Sequence, residues 1–172
     1  KYEGYDIRTT LIRRTSDADL DSGTSDDLDY TAESDMNLYQ LSSKIDNSLG
    51  FTNFTFSRTE YDREYVNGTE IDTYDSTSNT YILTNTLLKS NFDITPGIEY
   101  EYFDGSFNNT GSYTAKVDTD GENVGYFVNG NLIASDKLLV SAGIREDDPS
   151  LFNNYTTYRL GGTYDLTGTL KL

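Results

Sequence analysis

The stretch Phe92-Asp93-Ile94-Thr95-Pro96-Gly97-Ile98-Glu99-Tyr100-Glu101-Tyr102 decides the fold. Phe92, Ile94, Ile98, Tyr100 and Tyr102 fall on alternate positions, and Asp93, Thr95, Glu99 and Glu101 fall between them. Successive side chains of a strand point to opposite faces, so this is a ribbon with one apolar and one polar side. A slip of one residue would invert every side chain, which pins the register.

The pattern repeats along the chain. Tyr5, Ile7 and Leu11 oppose Asp6, Arg8 and Thr10. Tyr39, Leu41 and Ile45 oppose Gln40, Ser42 and Lys44, and Phe54 and Phe56 oppose Asn53 and Ser57. Thr77 to Leu88 is weaker, because Tyr81-Ile82-Leu83 puts apolar groups on both faces. Val124, Tyr126, Val128 and Leu132 oppose Gly125, Phe127, Asn129 and Asn131. Leu138, Val140, Ala142 and Ile144 oppose Leu139, Ser141, Gly143 and Arg145. Tyr158, Leu160, Gly162, Tyr164 and Leu166 oppose Thr157, Arg159, Gly161, Thr163 and Asp165. Asn129-Gly130, a hairpin signal in isolation, lies inside such a stretch and reads as strand; Asn67-Gly68 reads as part of a loop. No helical period appears.

Connections alternate short and long. Short ones fall at 47–49, 89–91, 134–136 and 167–168. Long ones, rich in Asp, Asn, Gly, Ser and Thr, are expected over 15–35, 61–76, 104–121 and 147–154. This is the rhythm of an all-β, antiparallel up-and-down meander of about eight strands plus the start of a ninth.

Composition removes several classes of function. The 172 residues include no Cys, His or Trp, so a disulfide framework, a Cys/His zinc site and a His-based nucleophilic site are excluded. Twenty-nine acidic against 13 basic side chains give a net charge of −16, which opposes binding to nucleic acid. High charge with few apolar residues is also a signature of disorder, but 15 Tyr and 8 Phe spread through the chain argue for strands. No apolar run approaches the roughly 20 residues of a membrane helix, whereas a membrane strand needs only about 10 alternating ones. The chain begins at Lys1 without Met and ends on Leu170-Lys171-Leu172, and reads as one unit over 1–172 cut from something longer.

Alternation fits two architectures. In a soluble sandwich the apolar face is the core; in an outer-membrane barrel it meets lipid. Mixed Gly, Asn, Thr and charged residues on the polar face, Tyr39, Tyr61, Tyr81, Tyr102 and Tyr158 placed as interfacial girdles, and the asymmetry of connection length favour a partial transmembrane β-barrel.

The acidic stretch Thr15–Asp35 carries Asp17, Asp19, Asp21, Asp26, Asp27, Asp29, Glu33 and Asp35 and no basic residue. Asp17, Asp19 and Asp21 approach the alternating-carboxylate spacing of calcium loops, but Ser22 stands where Gly is usual and no Glu closes the loop. The stretch reads either as a calcium site or as a solvated, self-repelling loop. Asp62, Glu64, Glu70, Asp72 and Asp75 form a second acidic group that meets the first if their strands are neighbours. Glu99 and Glu101 share a face as glycosidase carboxylates do, but with no partner constellation they read as lumen polarity. Arg8, Lys44, Arg145 and Arg159 lie on polar faces, where lumen acids or a plug would pair with them.

The strings Leu138–Asp148, Tyr155–Leu166 and Gly125–Leu132 resemble TonB-dependent outer-membrane receptors, and within them the vitamin B12 receptor-like group. The resemblance is firm over Val124–Leu172 and looser before it. It implies a middle portion of a barrel of about 22 strands in the outer membrane of a Gram-negative bacterium, with a plugged lumen and no enzymatic step. Its implied partners are outer-membrane lipid, TonB acting through a plug not contained in this chain, and a small-molecule ligand on the external loops. That ligand would be a corrinoid or an iron chelate. Tyr30, Tyr65, Tyr74 and Tyr113 would offer flat contact area, and calcium could sit among Asp17, Asp19, Asp21, Asp26, Asp27 and Asp29. A soluble surface domain binding calcium or sugar, and a passive porin, remain the alternatives.

Overall fold

The computed structural model describes residues 4–21, 29–111 and 114–165. They form one antiparallel sheet in sequence order: β1 (Tyr5–Asp19), β2 (Tyr30–Asn47), β3 (Gly50–Asn67), β4 (Glu70–Leu88), β5 (Phe92–Asn109), β6 (Ala115–Ser135), β7 (Leu138–Pro149) and β8 (Tyr155–Tyr164). Each strand pairs with its sequence neighbour, and no helix occurs among the described residues. The ninth-strand start expected at Leu170-Lys171-Leu172 lies outside them.

The register gathers the alternating apolar sets onto a single face. Ile7, Leu41, Phe56, Tyr81, Ile98, Val128, Ile144 and Leu160 all belong to it. It is the exposed face: Ile98 is 38% exposed, Val128 43% and Leu160 82%. All five residues that are buried among those described, Ala32, Thr86, Gly121, Gly125 and Asp147, lie on the opposite, polar face. With no second layer, crowding on one side means that the sheet curls toward that side. A soluble β-protein buries its greasy face; this sheet encloses its polar one.

The strands are longer than the sequence reading expected. A tilted strand crosses a bilayer in roughly 9–11 residues. β4 has 19 and β6 has 21, so the sheet continues well past the apolar band. The expected long loops at 61–76 and 104–121 are mostly ladder. β3 and β4 pair from Gly50↔Leu87 to Asn67↔Glu70, and the connection is the tip Gly68-Thr69, where Gly68 takes φ +60°. The 15–35 loop likewise shortens, with Asp17 and Asp19 in β1 and Tyr30 opening β2. Above the band the apolar set changes face, as at Tyr102-Phe103, so alternation loses its phase in the sequence while backbone pairing continues. At the opposite rim the turns are tight. At Ser48-Leu49 the Leu49 amide donates to Asn47 Oδ1 at 2.9 Å. Gly50 follows there because a Cβ would stand 1.8 Å from the Thr86 carbonyl oxygen.

The Tyr girdle needs one correction. Tyr39, Tyr81, Tyr102 and Tyr158 lie on the outward face, but Tyr61 pairs with Ser76 and belongs to the inward face. Its odd-numbered neighbours in β3 are inward, which strand periodicity demands once Phe54 and Phe56 are outward.

Candidate functional site

The inward face carries two distinct stations. At the height of the apolar band, Arg145 on β7 is clamped between carboxylates. Its Nη2 donates to Glu99 Oε1 on β5 and to Asp147 Oδ1, each at 2.7 Å, and its Nε donates to both Asp147 oxygens at 2.9 Å. Asn123 Nδ2 donates to Asp147 Oδ1 at 2.9 Å. The guanidinium stands over the Phe127 ring, 5.7 Å from its centroid.

Glycines make room for this packing. A Cβ on Gly125 would lie 2.3 Å from Arg145 Nη2, and one on Gly97 would lie 2.3 Å from Phe127 Cζ. Arg159 reaches across to Asn129 Oδ1 at 3.2 Å. Glu99, Phe127, Asn129, Arg145 and Arg159, with Gly143 and Thr157, line a recess of about 320 Å³. Glu101, held by Ser78 Oγ at 3.1 Å, adds a further carboxylate, so the three acids Glu99, Glu101 and Asp147 outnumber the guanidiniums of Arg145 and Arg159. The Glu99–Glu101 pair is thus wall chemistry, with Glu99 committed to Arg145.

The second station is higher, beyond the apolar band. There Arg63, Tyr74, Phe107 and Val117 form one inward row across β3–β6, next to the row of Tyr65 and Asn109. Tyr74 and Phe107 stack with centroids 4.7 Å apart, and Tyr65 meets Tyr74 edge-on at 6.0 Å. Arg63 lies over the Tyr65 ring at 4.3 Å. Tyr65 and Tyr74, the ligand candidates, are therefore brought together on the enclosed side. Tyr113 lies outside the described residues. Phe107 and Phe103 were not singled out from sequence. The signal was present as the alternation Phe103-Asp104-Gly105-Ser106-Phe107, obscured by the loop assignment.

Most of the acidic residues lie on the other side, but Glu70 and Asp72 of the second group are inward, Asp72 in the row of Tyr65 and Asn109. Asp35, Asp62 and Asp75 are directly opposite one another on β2, β3 and β4, so the two acidic stretches do meet, on the outward face. Burial, reinforced by Asp75, Glu60 and Asp35, holds the Asp62 carboxyl above its ordinary range. Asp17 and Asp19 share that outward face near the β1 end, with Asp17 opposite Glu33. Asp21 and Asp29 belong to the connection, and Asp26 and Asp27 lie outside the described residues. Among the described residues no group of three or more acidic side chains converges as a metal cage requires.

Comparison with known proteins supplies the context. No family model matches the chain, and no curated relative does. Solved structures match in fold. The siderophore receptor PirA from Pseudomonas aeruginosa is 17% identical with a TM-score of 0.57, covering 80% of this chain and 25% of that one. The copper transporter OprC gives 12% identity and a TM-score of 0.60 over 83% and 33% of the two chains. The RagAB peptide importer in its open-open state gives 16% and 0.54 over 81% and 20%. The fold matches a strip of the β-barrel wall of those proteins. This chain spans between a fifth and a third of the length of those proteins.

Proposed function

We propose that this chain is wall from an outer-membrane receptor of the TonB-dependent class, working in the uptake of a scarce ligand across the outer membrane of a Gram-negative cell. The observation that carries the reading is the reversed burial: every buried residue among those described lies on the polar face, while most large apolar side chains of the opposite face are exposed. A membrane wall has this sidedness because lipid, not protein, covers the greasy surface. A soluble calcium- or sugar-binding domain would need the reverse.

On this reading the station around Arg145 faces whatever fills the lumen, and the higher aromatic station faces incoming ligand. No chemical step is catalysed: capture uses contact area, and translocation draws energy from the inner membrane through TonB. The three structural neighbours carry different cargoes in their names, siderophore, copper and peptide, so cargo does not transfer by likeness. The vitamin B12-like subgroup remains part of the proposal, resting on the strings in β6 to β8.

Two measurements test it. The intact protein carrying this segment should fractionate with outer membranes and migrate faster on unheated than on heated gels. Uptake of its cargo should be abolished in cells lacking TonB or the proton-motive force. Uptake that survives both losses would make the protein a passive porin, and recovery as a soluble monomer without detergent would remove it from the membrane.

A further inference from the structure

We propose that the mouth enclosed by the upper part of this wall admits neutral or cationic ligands with a flat face and turns polyanions away. The inference rests on the receptor reading above and assigns the chemical class of its ligand.

The first observation is that the strands exchange their sidedness along their length. In the membrane band the outward side chains are apolar and the inward ones polar. Above it, Glu60, Asp62, Glu64, Asp75, Asp104 and Asp118 point outward, while Tyr61, Tyr65, Tyr74, Phe103 and Phe107 point inward. A mouth that needed only to stay wet could be polar on both sides. Here the rings are gathered on the enclosed side, where something with a complementary surface can cover them.

The second observation is the shape of that surface. Gly105 lies between Phe103 and Phe107 on β5, with Ser76 of β4 and Thr119 of β6 beside it. A Cβ at Gly105 would meet the Asp75 carbonyl oxygen at 3.4 Å, Ser76 Cβ at 3.6 Å and Thr119 Cγ2 at 4.0 Å, and no ring. Phe103 leans over Gly121, where a Cβ would stand 2.7 Å from its Cζ, so its ring lies along the wall. The result is a flat floor of small residues framed by rings. Phe107 lies four positions along the strand from Phe103, roughly 13 Å, the width of a fused ring system. Tyrosine hydroxyls at the border add hydrogen bonds to a stacked ligand.

The third observation is charge. On the ring wall Arg63 is engaged over Tyr65, and Asp72 accepts from Asn109 Nδ2. The outward carboxylates stand only a sheet's thickness away, about one Debye length in physiological salt, so their field reaches the mouth incompletely screened. A ligand with a flat face and without net negative charge satisfies all three observations. A polyanionic iron chelate fails the third.

The test uses the intact receptor carrying this segment, in detergent, and two planar fluorescent probes of similar size: acridine orange, a cation, and pyrenetetrasulfonate, a polyanion. Anisotropy should show saturable binding of acridine orange, weakened about three- to tenfold by Phe107→Ala or Tyr74→Ala and retained by Tyr74→Phe. The polyanion should bind poorly at physiological salt. It should gain affinity roughly fivefold when Asp62→Asn, Asp75→Asn and Asp104→Asn are combined, since none of those side chains lies on the ring wall. Ring-dependent binding of the polyanion to the unaltered receptor, as tight as that of the cation, would overturn the charge assignment and leave the receptor reading intact. Binding of neither probe, or binding indifferent to Tyr74 and Phe107, in a receptor that keeps its heat-sensitive gel mobility would remove the ligand wall and leave the receptor reading, which the TonB dependence of uptake tests separately, in place.

Discussion

Ile98→Arg tests the orientation of the whole sheet. Ile98 is on the exposed apolar face of β5, six residues from Phe92 at one margin of the band and four from Tyr102 at the other. At about 3.3 Å per residue and a tilt near 40°, it sits roughly 10–15 Å from each margin, close to the bilayer midplane. An arginine on the lipid face at that depth costs about 2–4 kcal/mol, equivalent to a roughly thirty- to several-hundred-fold loss in the folding equilibrium. The paired control is Thr80→Arg. Thr80 lies across from Glu101 on the inward face, where a guanidinium meets carboxylates and water, and should shift stability by less than about 1 kcal/mol. Refolding of the intact protein into short-chain phosphatidylcholine vesicles, followed by gel mobility across a urea series, reads both variants. Equal tolerance at the two positions, or greater damage at Thr80, would refute the assignment of lipid and lumen faces.

Other consequences follow from single sites. Removing Arg145 by substitution to Ala strands Asp147, whose side chain is 5% exposed, beside Glu99, and should cost about 2–4 kcal/mol in urea unfolding; adding Asp147→Asn and Glu99→Gln should restore most of it. Gly50→Ala drives a methyl into the Thr86 carbonyl and must part β3 from β4, with an expected loss of about 1–3 kcal/mol in thermal unfolding. Asp62 holds its proton more tightly folded than unfolded, so its contribution to stability is complete below the unfolded value of 3.8 and is lost as pH rises through the higher folded one. Amide exchange at the tips of β3 and β4 should therefore quicken as pH rises through that window beyond the intrinsic rate, and Asp62→Asn should flatten the excess.

Much was legible in the residues alone, for a simple physical reason. The side-chain period of a strand is fixed at two, so Phe92 to Tyr102 declares both its state and its two faces without any knowledge of neighbours. The same rule read Asn129-Gly130 correctly as strand against its turn propensity, since pairing across β6 with β5 and β7 outweighs a local preference. The eight-strand meander followed from the alternation of connections. Other features depend on register between distant residues and could not be read locally. Which face is enclosed needed the burial of Thr86, Gly125 and Asp147. The Arg145–Glu99 pair joins residues 46 apart, and Tyr65, Tyr74 and Phe107 meet only because three strands align. The continuation of β3 to β6 beyond the band was masked, because the apolar side chains change face there and the Asp-, Asn- and Ser-rich composition reads as loop. Periodicity therefore gave the ribbon and its two sides, and curvature with cross-strand register decided what each side confronts.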